Sequence, residues 1–241
     1  MRYLIFTTPR TASQYVEQLL FPAVQEAYGY AGWLSEAFSP SRCLVDADGA
    51  LCSVSLNEEK REKGSPVDLA QVPEDQRIIS VPDRIKRIED DFDAGKTYLF
   101  RVMASHITEE SLDYLADTYT FICLERRDKL SQGLSQAIAK ESKRWGRATH
   151  DFAPGSVTYR RESFDAFMED LTQYREIMAR AKNKITVFSE EITAAPESLF
   201  ETLGLKTPPQ PAAKDFKNFY SIEPLDMIAN REEVLGWFKK V

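Results

Sequence analysis

From Tyr3 to Leu20 the chain reads YLIFTTPRTASQYVEQLL. An apolar run stops at Thr7 and Thr8, a short polar turn follows, and an amphipathic pattern begins at Ser13. Pro9, Arg10, Thr11, Ala12, Ser13 and Gln14 therefore fall on a strand-to-helix turn. Such a turn leaves backbone N–H groups unpaired at a helix N-terminus. Those donors, with the helix dipole, suit a phosphate or a sulfate. Thr11 and Ser13 add hydroxyls, Ala12 keeps the backbone approachable, and Arg10 contributes a permanent charge with a planar fork of donors. The chemistry of this turn is that of an anion cradle. It is not a Walker A loop, because the Lys and the glycines of GxxxxGK[ST] are absent.

A second stretch has complementary chemistry. The strand-like run YTFICLE is followed by RRDKLSQGLSQAIAKESKRW. Arg127 lies at the strand end, and Ser135 follows eight residues later, about two turns along a helix of 3.6 residues per turn. An Arg and a Ser so placed can grip one phosphate together, the Arg through a charge-assisted bidentate contact. Glu190 and Glu191 form an acidic pair in ITVFSEE. Adjacent residues of an extended segment point to opposite faces, so they read as capping and loop-anchoring groups and not as the carboxylate couple of a glycoside hydrolase. Trp33, Phe38 and Trp145 offer aromatic faces to an acceptor or serve as core residues.

These residues need elements to hold them. Short apolar runs at 3–8, 97–103, 119–125 and 185–190 read as strands covered on both faces. Helical patterns fall between them, at 13–27, 83–94, 108–117 with Thr108 as N-cap, 128–145, 163–182 and 196–203. Strands alternating with helices predict an α/β fold, a P-loop-like three-layer arrangement with a central mainly parallel sheet flanked by helices. Such sheets bind ligands at the carboxyl ends of their strands. The 241 residues are expected to form a single domain. Residues 40–82 are polar and hold several Pro and Gly; they read as an insertion, lid or partner surface, with a hairpin turning at Asp48-Gly49. Residues 206–218 read as an extended loop.

Composition narrows the partners. The net charge of −7 argues against duplex nucleic acid, so any anion site must be local. No apolar stretch approaches the roughly 20 residues that span a bilayer. Three cysteines, Cys43, Cys52 and Cys123, and two histidines, His106 and His150, lack metal-type spacing, so no metal site is expected. A cytoplasmic location is the simplest expectation.

Together the two stretches resemble the sulfotransferase family that uses 3′-phosphoadenosine 5′-phosphosulfate (PAPS). In that family a first strand–loop–helix of the type P-[RK]-[ST]-G-[ST]-T holds the 5′-phosphosulfate. A later strand–helix holds the 3′-phosphate with an Arg and, eight residues on, a Ser. The corresponding residues are Pro9 to Gln14, and Arg127 with Ser135. RRDKLSQGLSQAI is similar to the RRDK-x-x-QA-x-S stretch of bacterial trehalose-type sulfotransferases, and FSEEITAAPESLFETLGL to the family's late strand, acidic turn and helix. Two departures stand out: Ala12 replaces the usual Gly, and Gln14 a Thr or Ser. The late loop that cytosolic members use on the 3′-phosphate is missing, with Lys214 and Lys217 as stand-ins.

The resemblance implies sulfuryl transfer from PAPS to an acceptor hydroxyl or amine, leaving adenosine 3′,5′-bisphosphate (PAP). The acceptor would be a small molecule or a glycan. Arg10 matches the family's charge-stabilising Lys or Arg. Glu36, in GYAGWLSEAFSP, falls where the bacterial members place a catalytic Glu. His106, just after TYLFRVM, is the alternative base, and Arg101 is a further sulfate contact or a plain strand end. A P-loop-type small-molecule kinase remains as a rival, as does a non-catalytic nucleotide-binding protein of the same fold.

Overall fold

The computed structural model describes residues 2–28, 31–39, 42–43, 54–55, 80–95, 97–143, 152–208, 223–239 and 241. Its centre is a five-stranded sheet. The strands are β1 (Tyr3–Thr7), β2 (Ala31–Glu36), β5 (Thr97–Met103), β6 (Thr120–Glu125) and β7 (Asn183–Phe188), in the spatial order β2-β5-β1-β6-β7. Every pairing in it is parallel. Two short strands, β3 (Arg42–Cys43) and β4 (Val54–Ser55), pair antiparallel apart from it.

Alternation along the strands explains the layers. Leu4 and Phe6 of β1, Phe100 and Val102 of β5, and Phe121 and Cys123 of β6 face one side. There they pack on α2 (Val81–Asp93), α3 (Glu109–Thr118) and α5 (Arg161–Arg180) through Ile85, Ile88, Leu112, Leu115, Tyr174 and Ile177. Tyr3, Ile5, Leu99, Ile122 and Leu124 face the other side. They meet α1 (Ser13–Tyr28), α6 (Ser189–Ala194) and α7 (Glu197–Leu203) through residues such as Val16, Leu20, Ile192 and Phe200. A sheet apolar on both faces has to be covered twice, and the result is three layers.

The helix after β6, α4 (Lys129–Ser142), is buried from Gln132 to Ala139. Its outer side carries a third apolar cluster with Tyr159, Phe164, Met227 and the C-terminal helix α8 (Arg231–Phe238). The approach is close at Gly133, where a Cβ would come within 2.5 Å of the Phe238 ring.

Several expectations need correction. Ala31–Glu36, to which the sequence pattern assigns no element, is strand β2. It was concealed because Gly32, Ser35 and Glu36 interrupt its apolar pattern. The last strand ends at Phe188, so Ser189 and Glu190 open helix α6. Thr108 occupies the N-cap of α3, but its hydroxyl bonds Ser111 Oγ instead of a backbone amide. The turn at Asp48-Gly49, most of 40–82, Trp145, His150, Lys214 and Lys217 lie outside the described residues. Among the described residues no helix is long and apolar enough to cross a membrane.

Candidate functional site

The strand order has a switch point. The connection leaving β1 leads by way of α1 to β2 at one edge of the sheet. The connection leaving its neighbour β6 runs through α4 and α5 toward β7 at the other. Between two such diverging connections a crevice opens at the carboxyl ends of the strands. The turn after β1 and the start of α4 both stand there.

The turn has an unusual backbone. Arg10 has φ 65° and Ala12 φ 62°, whereas Thr11 between them is not left-handed. Left-handed residues separated by one of the other hand curl successive N–H groups toward one concavity, which attracts anions. Ala12 O accepts from the amides of Tyr15 (2.9 Å) and Val16 (3.2 Å), which starts α1. Among the described residues nothing accepts from the amides of Thr11, Ala12, Ser13 or Gln14. Holding an L-residue at positive φ costs about 1–2 kcal/mol, so the turn is strained at two positions. The Thr11 hydroxyl steadies it by donating to Thr8 O at 3.1 Å and contacting the Thr7 hydroxyl.

Helix α4 grips this turn. Arg10 Nε donates to Ser135 Oγ at 2.8 Å. Gln132 Nε2 donates to Thr8 Oγ1 and to Pro9 O, each at 2.8 Å. Arg126 Nη1 reaches Arg10 O at 3.5 Å. Asp128 caps α4 by accepting from Ser131 N at 2.9 Å.

Arg127 looks elsewhere. Its guanidinium lies over the Phe188 ring, 3.9 Å from the centroid, and pairs with Glu191. Glu190 accepts from the amides of Arg127 (2.9 Å) and Asp128 (3.2 Å). Burial alone would raise the Glu190 carboxyl. The amides of Glu190 itself, Asp128 and Arg127 outweigh that and hold it below the usual range. Both glutamates therefore anchor the loop at Arg127.

A second charged group occupies the carboxyl ends of β5 and β2. Arg101 shares its strand face with Leu99, the α1 side, and is 2% exposed. Nη1 donates to Glu17 Oε2 at 2.8 Å and Nη2 to Glu36 Oε1 at 2.9 Å. A register shift between Trp33 and Ser35 inserts Leu34 as an extra residue, which brings Glu36 opposite Arg101. Glu17 is wholly buried, whereas the Glu36 side chain keeps 22% exposure. Buried Arg84 donates from Nη1 to Ala37 O (2.9 Å) and Ser39 O (2.7 Å), tying down the turn behind Glu36. His106 lies in the 3-10 turn Ala104–His106 after β5. Among the described residues its buried Nδ1 has no hydrogen-bond partner. Burial is the main cause that lowers its pKa from 6.5; Glu36 opposes this, and Arg101 and Arg84 reinforce it.

Of the residues singled out in the sequence, Pro9 to Gln14 and Ser135 thus meet, and Glu36, Arg101 and His106 form a neighbouring group. The side chain of Arg127 joins neither. Phe38 is 2% exposed and packs on Phe100, so it belongs to the core and not to an acceptor pocket. Glu17, Arg84 and Gln132 were overlooked. Each is a polar residue at a buried phase of an amphipathic helix, beside buried apolar residues such as Val16 and Leu19 for Glu17, or Ile85 and Ile88 for Arg84. No family model matches the chain, and no curated protein matches it.

Proposed function

We propose that the chain is a PAPS-dependent sulfotransferase with a P-loop-like fold, acting on a hydroxyl of a small molecule or glycan. The observation that carries this reading is the Arg10 Nε–Ser135 Oγ contact of 2.8 Å. It joins two stretches that, in the resembled family, hold opposite ends of one nucleotide.

The residues fit such a ligand. The free amides from Thr11 to Gln14 and the Arg10 charge suit a phosphosulfate. When bound, PAPS supplies the sulfuryl group and a phosphate as leaving group. Arg10 stabilises negative charge at the turn, an effect of about 3 kcal/mol for one well-placed donor. Ser135 and Arg127 take the second phosphate, with Arg127 exchanging Glu191 for it. Glu36, half-open and oriented by Arg101, accepts the proton of the acceptor hydroxyl. This proton transfer contributes roughly 10²–10⁴-fold. His106 is the alternative acceptor of that proton.

Thermal-shift measurements separate the rivals. Adenosine 3′,5′-bisphosphate is expected to stabilise the chain more than AMP or ATP–Mg²⁺. Stabilisation by ATP–Mg²⁺ alone favours a kinase. Binding of the bisphosphate without transfer to any hydroxyl acceptor favours a non-catalytic nucleotide-binding protein.

A further inference from the structure

We propose that Gln132 is the positioning residue that fixes the anion-binding turn to α4, so that both ends of the nucleotide site move as one body. The inference rests on the bisphosphate-site reading above and adds a residue that does not itself touch the ligand.

Gln132 is fully buried. Its amide nitrogen donates to Thr8 Oγ1 and Pro9 O at 2.8 Å each. A backbone carbonyl only accepts, so Pro9 O dictates which end of the amide faces the turn. The other end, Oε1, is buried and has no partner among the described residues. Space-filling alone would be served better by an apolar side chain such as its neighbour Leu134, which leaves no acceptor unmet. The two donated bonds are therefore what Gln132 provides.

Their effect on the turn follows from peptide geometry. In a trans peptide the carbonyl and the next N–H point to opposite sides. Pulling Pro9 O toward α4 thus sets the direction of the Arg10 amide, at the start of the left-handed pair Arg10 and Ala12. Ser135 lies three residues beyond Gln132, on the same side of the helix, and receives Arg10 Nε. One helix face thereby holds the turn twice, by its backbone through Gln132 and by its side chain through Ser135.

Two variants test this in the full chain. Gln132→Met keeps length and removes both donors. Thr8→Val removes one acceptor from the other side of the same contact. In the ligand-free protein, the ¹³C shifts of Ala12 report its left-handed backbone. They are expected to move toward right-handed or extended values in Gln132→Met, and less in Thr8→Val. Unchanged shifts in both variants overturn the proposal. In titrations, Gln132→Met is expected to weaken adenosine 5′-monophosphate and the 3′,5′-bisphosphate roughly tenfold, the size of two net hydrogen bonds. Adenosine 3′-monophosphate is expected to change less than about twofold. Equal losses for all three nucleotides indicate a merely structural residue and overturn it. If the wild type binds none of the three, the nucleotide reading fails, and the Ala12 shifts still decide the role of Gln132.

Discussion

Arg10 and Ser135 are 125 residues apart in the chain and 2.8 Å apart in space. The contact forms because the connections from β1 and β6 diverge at the middle of the sheet and leave their first residues facing one crevice. It also means that the Arg10 and Arg127 guanidinium groups each already have a partner, Ser135 and Glu191. On the proposed reading, an anion in this crevice shares Arg10 with the Ser135 hydroxyl and draws Arg127 away from Glu191.

On the proposed reading, Glu191 competes with the bisphosphate for Arg127. Replacing Arg127 by Ala is expected to weaken adenosine 3′,5′-bisphosphate by about 1.5–3 kcal/mol, the range for hydrogen bonds to charged groups. Replacing Glu191 by Gln is expected to strengthen it slightly, by about 0.2–1 kcal/mol, the value of an exposed ion pair. Calorimetric titration of both variants checks the opposite signs.

Ala12 holds a left-handed conformation that glycine adopts without steric cost. Ala12→Gly is expected to stabilise the fold by about 1 kcal/mol, read as a higher urea midpoint at unchanged m-value. A lower midpoint would show that the turn does not keep this backbone in solution.

The Glu17–Arg101–Glu36 group sets up an asymmetry in stability. Arg101→Met removes the cation paired with the buried Glu17 carboxylate, and about 3–5 kcal/mol of stability is expected to be lost. Glu36→Gln keeps a hydrogen-bond acceptor for Arg101 at a partly exposed position and is expected to cost about 1 kcal/mol or less. Equilibrium unfolding of the two proteins compares the losses directly.

His106 gives the pH dependence. Its pKa is lowered in the folded chain, first by burial. The unfolded chain, with its histidine near 6.5, therefore binds more protons than the folded chain in the window below that value. The His106 contribution is fully present above pH 6.5 and is lost as pH falls toward and through the folded pKa. His106→Asn is expected to flatten this part of the stability profile. Because Glu36 opposes the lowering, Glu36→Gln is expected to move the His106 titration to still lower pH, as followed by its ring ¹³C–¹H resonance.

What was legible in the sequence follows from pattern strength. β1, β5 and β6 are continuous apolar runs, and the turn at 9–13 and the Arg127–Ser135 spacing mark strand ends, so the sheet's middle and the turns that follow β1 and β6 could be read. β2 could not be, because an edge strand with a bulge at Leu34 breaks any period of two. Glu17, Arg84 and Gln132 escaped because a polar residue inside an apolar helical stripe declares its partners only once strands distant in sequence are brought beside it. The aim of the Arg127 side chain escaped for a related reason. Spacing fixes where a residue's backbone stands, but Phe188 and Glu191, on β7 and α6, decide where its guanidinium rests.

The most direct test is calorimetric titration of adenosine 3′,5′-bisphosphate into the wild-type chain, Arg10→Ala and Ser135→Ala. One saturable site in the wild type is predicted, with affinity lowered roughly tenfold or more in each variant. No binding to the wild type, or binding that neither replacement alters, would contradict a nucleotide held between the β1 turn and helix α4.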